Sequence, residues 1–360
     1  MRIGRVPALV GGAAGVLGAA AAAGIVAQRR TAVRDRARID PTVLAELDAQ
    51  PVDRSALVRT DDGLSLHTEQ NGPLSAPVTV LFVHGYCLNL SSFHFQRHAL
   101  QAALGDQVRL VLFDQRSHGR SAHSAREACT IEQLGHDLHN VIDALAADGP
   151  LVLIGHSMGG MALMALADQR PELFAAGGRV AAVALINTSS GDLRSISLGL
   201  PSALARWHAP LVPIVLRRAA KNAAFTERAR AVGRDLAWTI TKRLSFADPA
   251  VDPAVVDFCA RMIESTPVTV VANFYPTLLA HDGQLGVRNL AGCRVLVIGS
   301  DSDSLTPSRH SEQIAAALDN AELIIAERSG HLLMLEHPQL VNEPLLELVR
   351  SVLPAGARLR

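Results

Sequence analysis

The sequence predicts an α/β fold: a mostly parallel central β-sheet flanked by helices, with a helical cap inserted between two of its later strands. Three observations predict it. Short runs such as Val78–Val83, Val108–Phe113, Leu151–Ile154 and Val180–Ile186 are almost continuously apolar, which is how strands buried on both faces read. Helical patterns alternate with these runs, and that alternation implies parallel strands wrapped on both sides. Between Leu193 and Val287 the alternation stops, and helical stretches broken by Pro201, Pro210, Pro213, Pro249, Pro253 and Pro267 take its place.

The chain opens on an uncharged stretch, residues 6–27, rich in Ala and Gly. Its length matches the ~20 residues of a bilayer-spanning helix, although Ala and Gly gain little from lipid. Three readings stand side by side: a membrane anchor, a cleaved secretory signal headed by Arg2 and Arg5, and an Ala/Gly tail without a target. Arg29, Arg30, Arg34, Arg36 and Arg38 follow at once. They suit contact with anionic headgroups on a cytoplasmic face, while the basic start pulls the orientation the other way. Membrane association is therefore expected through residues 6–27, and a cytoplasmic or exported protein otherwise.

Residues 1–40 form this segment and a basic linker. The core's first part is assigned to residues 41–193, the cap to 194–287, and the core's second part with the tail to 288–360. Pro41–Ala56 reads as a helical connector. In Leu57–Gln70, Asp61-Asp62-Gly63 marks a turn between two extended runs, an antiparallel hairpin at a sheet edge. Val78–Val83 ends in His84-Gly85-Tyr86, and Val108–Phe113 runs into a polar loop, Asp114–Ser121. Thr130-Ile-Glu-Gln133 has the form of a capping box, with Ile131, Leu134, Leu138, Val141, Ile142 and Leu145 at helical spacing behind it. After the cap come the strand Arg294–Gly299, a helix over Pro307–Leu318, the strand Ala321–Ala326 and a closing helix over Gln339–Val352. Pro354–Arg360 reads as a loose basic tail.

Zero formal net charge argues against a nucleic-acid partner, which needs a concentrated basic face. Cys87, Cys129, Cys259 and Cys293 are far apart, without a C-x-x-C pair. They read as free buried thiols rather than a zinc site or a disulfide framework.

The chemistry centres on Gly155-His156-Ser157-Met158-Gly159. An apolar strand that turns at once into a helix leaves its middle residue strained with the side chain exposed, and small neighbours let the backbones pass. Leu151–Ile154 supplies the strand and Met158–Leu166 the helix. A serine hydroxyl needs a histidine base, which needs a carboxylate to fix its tautomer. Functional groups of a parallel sheet collect at the carboxyl ends of its strands. Asp301 and Asp303 follow one late strand, and Ser329-Gly330-His331 follows the next. Asp282, near the end of the cap, is a third carboxylate to weigh.

On these residues the chain resembles the α/β-hydrolase family, in its serine esterase and lipase-like branch with a helical cap. The likeness runs from about residue 57 to 353 through His84-Gly85, Asp114-Gln-Arg-Ser-His-Gly-Arg-Ser121, Gly155–Gly159, the Asp301 to Pro307 loop and Gly330-His331. The resemblance implies Ser157 as nucleophile, His331 as base, the amides of Tyr86 and Met158 as oxyanion hole, and Asp303, four residues before Pro307, as acid. Asp301 and Asp282 stay as alternatives for the acid. Ser117 stands where many relatives have Gly, in a loop that is mainly structural.

His84 is expected to support its loop and His156 to point away from substrate. His118 and His123 read as loop and surface residues, and His94 and His98 as lining a helix near the mouth of the site. Two-step acyl transfer on such a triad needs no cofactor and no metal. A carboxylesterase or lipase-like enzyme acting on a lipophilic small-molecule ester follows, with the apolar run Ala209–Leu216 as a lid stripe or core packing. Thioester, amide or cofactor-free peroxide chemistry uses the same machinery, and a non-catalytic binding module is the reading from another class. Epoxide and haloalkane hydrolysis on this fold use a carboxylate at position 157, so the serine argues against both.

Overall fold

In the computed structural model, residues 30–195, 214, 216–222 and 234–354 are described. Residues 6–27, Pro201, Pro210, Pro213, the run Ala209–Leu216 apart from Ile214 and Leu216, and the tail after Pro354 lie outside them. Among the described residues no helix is long and apolar enough to cross a membrane.

Eight strands form one sheet: β1 (Arg54–Arg59), β2 (Ser65–Asn71), β3 (Val78–Val83), β4 (Val108–Phe113), β5 (Leu151–His156), β6 (Val180–Ile186), β7 (Arg294–Ser300) and β8 (Ala321–Ala326). Their spatial order is β1-β2-β4-β3-β5-β6-β7-β8. β2 is antiparallel to β1 and β4, and the remaining neighbours are parallel. The expected edge hairpin is β1–β2, its turn carried by Gly63 at φ +82°.

The apolar runs are strands because both sheet faces are covered. Val80, Phe82, Val152 and Ile154 pack on one side with the helices His94–Leu104 and Pro338–Val352; Leu81, Val83, Leu151 and Leu153 pack on the other with Ile131–Leu145 and Met158–Gln169. Thr130 caps its helix by accepting the Gln133 N–H at 3.1 Å. The Gln133 side chain reaches Asp137 instead of the cap, so half of the capping box forms.

Between β6 and β7 the described residues form helices, Arg234–Ser245, Pro253–Ser265, Val268–Ala280 and Gln284–Asn289. The connector before β1 packs against the first two. Its helix spans Pro41–Asp48, Leu47 joins Phe258 and Met262 in the core, and Asp35 and Asp48 pair with Lys242 and Arg261 at 3.0 and 2.9 Å.

The topology fixes where a site can lie. The chain places β4 on one side of β3 and β5 on the other, so the crossovers diverge and leave a crevice beyond the carboxyl ends of β3 and β5. Tyr86 follows β3 there, and Ser157 follows β5.

Candidate active site

Ser157 sits at φ 53°, ψ −119° between β5 and the Met158–Gln169 helix. Positive φ in a residue with a Cβ costs about 1–3 kcal/mol and persists only where the surroundings over-determine it. Here Ser157 N–H donates to the Ile186 carbonyl at 3.0 Å, and its own carbonyl accepts the Thr188 hydroxyl at 2.7 Å. Gly159 lets the helix close on β3, since a Cβ there would lie 2.0 Å from the Val83 carbonyl oxygen. Met158 is the first helical residue, so its N–H has no acceptor within the helix.

Three of the sequence-predicted residues meet. His331 Nε2 is 3.0 Å from Ser157 Oγ, and His331 Nδ1–H donates to Asp303 Oδ2 at 2.7 Å. Asp303 Oδ1 accepts the N–H groups of Leu305 and Thr306 at 2.7 and 2.9 Å, and Oδ2 the Thr306 hydroxyl at 2.7 Å. Burial alone would push this carboxyl up. The charge and hydrogen bond of His331 and the donors of Thr306 outweigh it and hold the group below the usual carboxylate range.

Neither alternative carboxylate joins this chain. Asp301 is exposed and takes the Ser302 hydroxyl at 2.8 Å and the Ser329 N–H at 3.4 Å. Asp282 is exposed and takes the Gln284 N–H at 3.3 Å.

Residues without a sequence signal hold the loop that carries His331. Asn187 Nδ2 donates to the carbonyls of Gly330 and His331 at 3.0 and 2.9 Å. Glu336 accepts the N–H of Gly330 at 2.6 Å while gripping those of Ala247 and Asp248.

The other histidines divide by burial. His84 supports its loop as expected: Nε2 accepts the Gln115 N–H at 2.9 Å, so Nδ1–H donates to the Gly85 carbonyl at 2.8 Å. Burial pushes it down to about 4. His118 is a core residue, because the loop from Asp114 folds inward beneath Tyr86 and Phe274; its ring centre is 6.3 and 5.4 Å from theirs. His94 faces Gln50 and Phe258, and neither it nor His98 lines the cavity at Ser157. His156 lies against His331, with ring centres 4.8 Å apart, rather than pointing away.

That cavity measures about 290 Å³ and holds Ser157, His331 and Tyr86 among apolar walls that include Leu88, Met161, Leu244, Leu279 and Leu332. The Tyr86 hydroxyl donates to the Val271 carbonyl, tying this loop to the Val268–Ala280 helix. None of the four cysteines is in a disulfide, and all are buried. Among the described residues no group of three His, Cys, Asp or Glu side chains is arranged to hold a metal ion. The arrangement can pass the Ser157 proton to a neutral imidazole whose far side faces a fixed carboxylate.

The model of the alpha/beta hydrolase family matches residues 80–343. An uncharacterized hydrolase of Bacillus subtilis is 23% identical over 295 residues, 81% of this chain and 96% of that protein. An sn-1-specific diacylglycerol lipase of Mus musculus is 36% identical over 94 residues, 26% of this chain and 29% of the lipase. Among solved structures, an esterase from Thermogutta terrifontis superposes with a TM-score of 0.64 at 24% identity, covering 84% of this chain and 100% of the esterase.

Proposed function

This chain belongs to the alpha/beta hydrolase family and is a hydrolase, and we propose that it cleaves lipophilic carboxylic esters through an acyl-enzyme formed on Ser157. The observation that carries the reading is the unbroken relay Asp303–His331–Ser157 opening into an apolar cavity. His331 Nε2 takes the hydroxyl proton as Ser157 Oγ attacks the ester carbonyl. The backbone amides of Met158 and Tyr86 receive the oxyanion, and the same imidazole then activates water to release the acid. Asp303 stays ionised and stabilises the imidazolium. The helical residues between β6 and β7 act as the cap, which supplies Leu244, Tyr275 and Leu279 to the cavity wall.

Charge argues for a neutral substrate. The cavity has no Lys, Arg, Asp or Glu among its described lining residues, so a charged acyl group would be desolvated there without a counter-ion. The short match to a lipase supports an ester as the bond cleaved.

Initial rates of the full chain on p-nitrophenyl esters from acetate to palmitate, with Ser157→Ala as blank, test the proposal. Turnover that peaks at an intermediate chain length and vanishes in the variant supports it. Turnover confined to thioesters, amides or peroxide formation would replace the ester while keeping the triad, and none with any of them would leave a binding module.

Residues 6–27 are read as holding this enzyme at a membrane, where lipophilic esters also partition; their uncharged length supports this. Full-length protein is then expected to stay in the pellet after alkaline carbonate washing. Release into the supernatant would rule out an integral anchor.

A further inference from the structure

His156 is the last residue of β5 and stands directly before Ser157. Its side chain is buried, with Nε2 3.0 Å from the main-chain carbonyl oxygen of His331. A carbonyl only accepts, so Nε2 carries the proton and Nδ1 is bare. Nδ1 is buried without a hydrogen-bond partner, a loss that an apolar side chain of similar size would avoid. The opposite side of the ring meets Gly85. A Cβ at position 85 would lie 2.7 Å from His156 Nδ1 and 3.2 Å from Ser157 Cβ.

One imidazole thus spans the space between the arm carrying Gly85 and Tyr86 and the arm carrying His331, and touches both. Resting on the acyl-transfer reading above, we propose that His156 is a positioning residue. Its ring sets the spacing of the two arms, and its Nε2–H holds the His331 main chain so that the imidazole meets Ser157 Oγ. Asn187, directly after β6, donates to the same carbonyl, so the base is anchored from the carboxyl ends of both strands beneath it. Burial pushes His156 down to about 3. The ring therefore adds no charge beside the imidazolium that His331 becomes during the reaction.

The test uses the full chain with His156→Phe, which keeps a ring and loses the donor, and His156→Gln, whose amide N–H reaches about as far. His156→Phe is expected to lower kcat about 10- to 100-fold with KM within about threefold, the signature of a misplaced reacting group. His156→Gln should regain most of that loss, and fluorophosphonate labelling of Ser157 should follow kcat. A folded Phe variant with wild-type kcat, or a Gln variant as slow as Phe, overturns the proposal.

Should the Phe variant not fold, ¹⁵N NMR of histidine-labelled wild-type protein decides. A neutral, Nε2-protonated His156 at pH 7 is expected, and an Nδ1-protonated ring overturns the proposal. Absence of ester turnover in the wild type would instead overturn the functional reading, with the NMR outcome still deciding the contact to His331.

Discussion

Asp303→Asn is expected to lower kcat for ester hydrolysis by about 10⁴-fold, while Asp301→Asn leaves it within about twofold. The reason is the tautomer. As a carboxylate, Asp303 can only accept, so His331 must place its proton on Nδ1 and leave Nε2 bare for the serine hydroxyl. The inner oxygen of Asp303 already takes two backbone N–H groups, and the outer one takes the Thr306 hydroxyl. An asparagine would keep its oxygen toward the backbone donors and turn its NH₂ toward His331. Nδ1 would then have to accept, Nε2 would hold the proton, and Ser157 would lose its base. Asp301 takes the Ser302 hydroxyl and the Ser329 N–H at the surface, so its amide changes nothing the base senses. Steady-state rates on the best p-nitrophenyl ester, with Ser157→Ala marking the floor, check both variants. Equal losses in the two aspartate variants, or a larger one at position 301, would move the acid away from Asp303.

That pair of aspartates also marks where the sequence stops speaking. Both follow β7 on one loop, two residues apart, and either can be drawn toward a histidine after β8. Three-dimensional packing separates them, because the loop turns inward at Asp303 and Thr306 and outward at Asp301 and Ser302. The strands were legible because the sheet is covered on both faces, so its residues are apolar whichever way they point. Ser157 and His331 were legible because each stands at the carboxyl end of such a strand.

His156 was readable in principle. Val152 and Ile154 face the side of the sheet that also carries Leu332 and Leu333, and the strand period of two sends residue 156 the same way. The expectation that it points away from substrate rests on its place beside the serine and leaves that strand period out. Asn187, Thr306 and Glu336 had no such cue. Asn187 meets His331 across 144 positions of chain, and a lone polar residue after a strand carries no pattern that announces it. His118 reads as a loop residue from its Gly and Ser neighbours, yet the loop folds under Tyr86 and buries it.

Acid is expected to destabilise this protein as pH falls below 6.5. Burial pushes His84 down to about 4 and His118 and His156 to about 3, from an ordinary value of 6.5. Each is at most 1% exposed. With folded values below the unfolded one, the unfolded chain takes up protons first. The stabilisation is complete above pH 6.5 and is lost as pH falls toward the folded values. Each ring forfeits on the order of 1–2 kcal/mol between pH 6.5 and 5, several kcal/mol for the three, a large part of the stability of an ordinary domain. Asp114 and Asp137, which burial pushes up, act with the opposite sign. Geometry argues independently for neutral rings, since His84 Nε2 accepts the Gln115 N–H and has no room for a proton. Urea unfolding followed by circular dichroism at the two pH values measures the loss, and His118→Phe should remove about a third of it. If the unfolding free energy is the same at both, these rings are protonated in the folded protein or titrate there as in the open chain. The neutral tautomers that seat His84 on Gln115 and His156 on His331 would then be wrong, and the spacing role of His156 would fall with them.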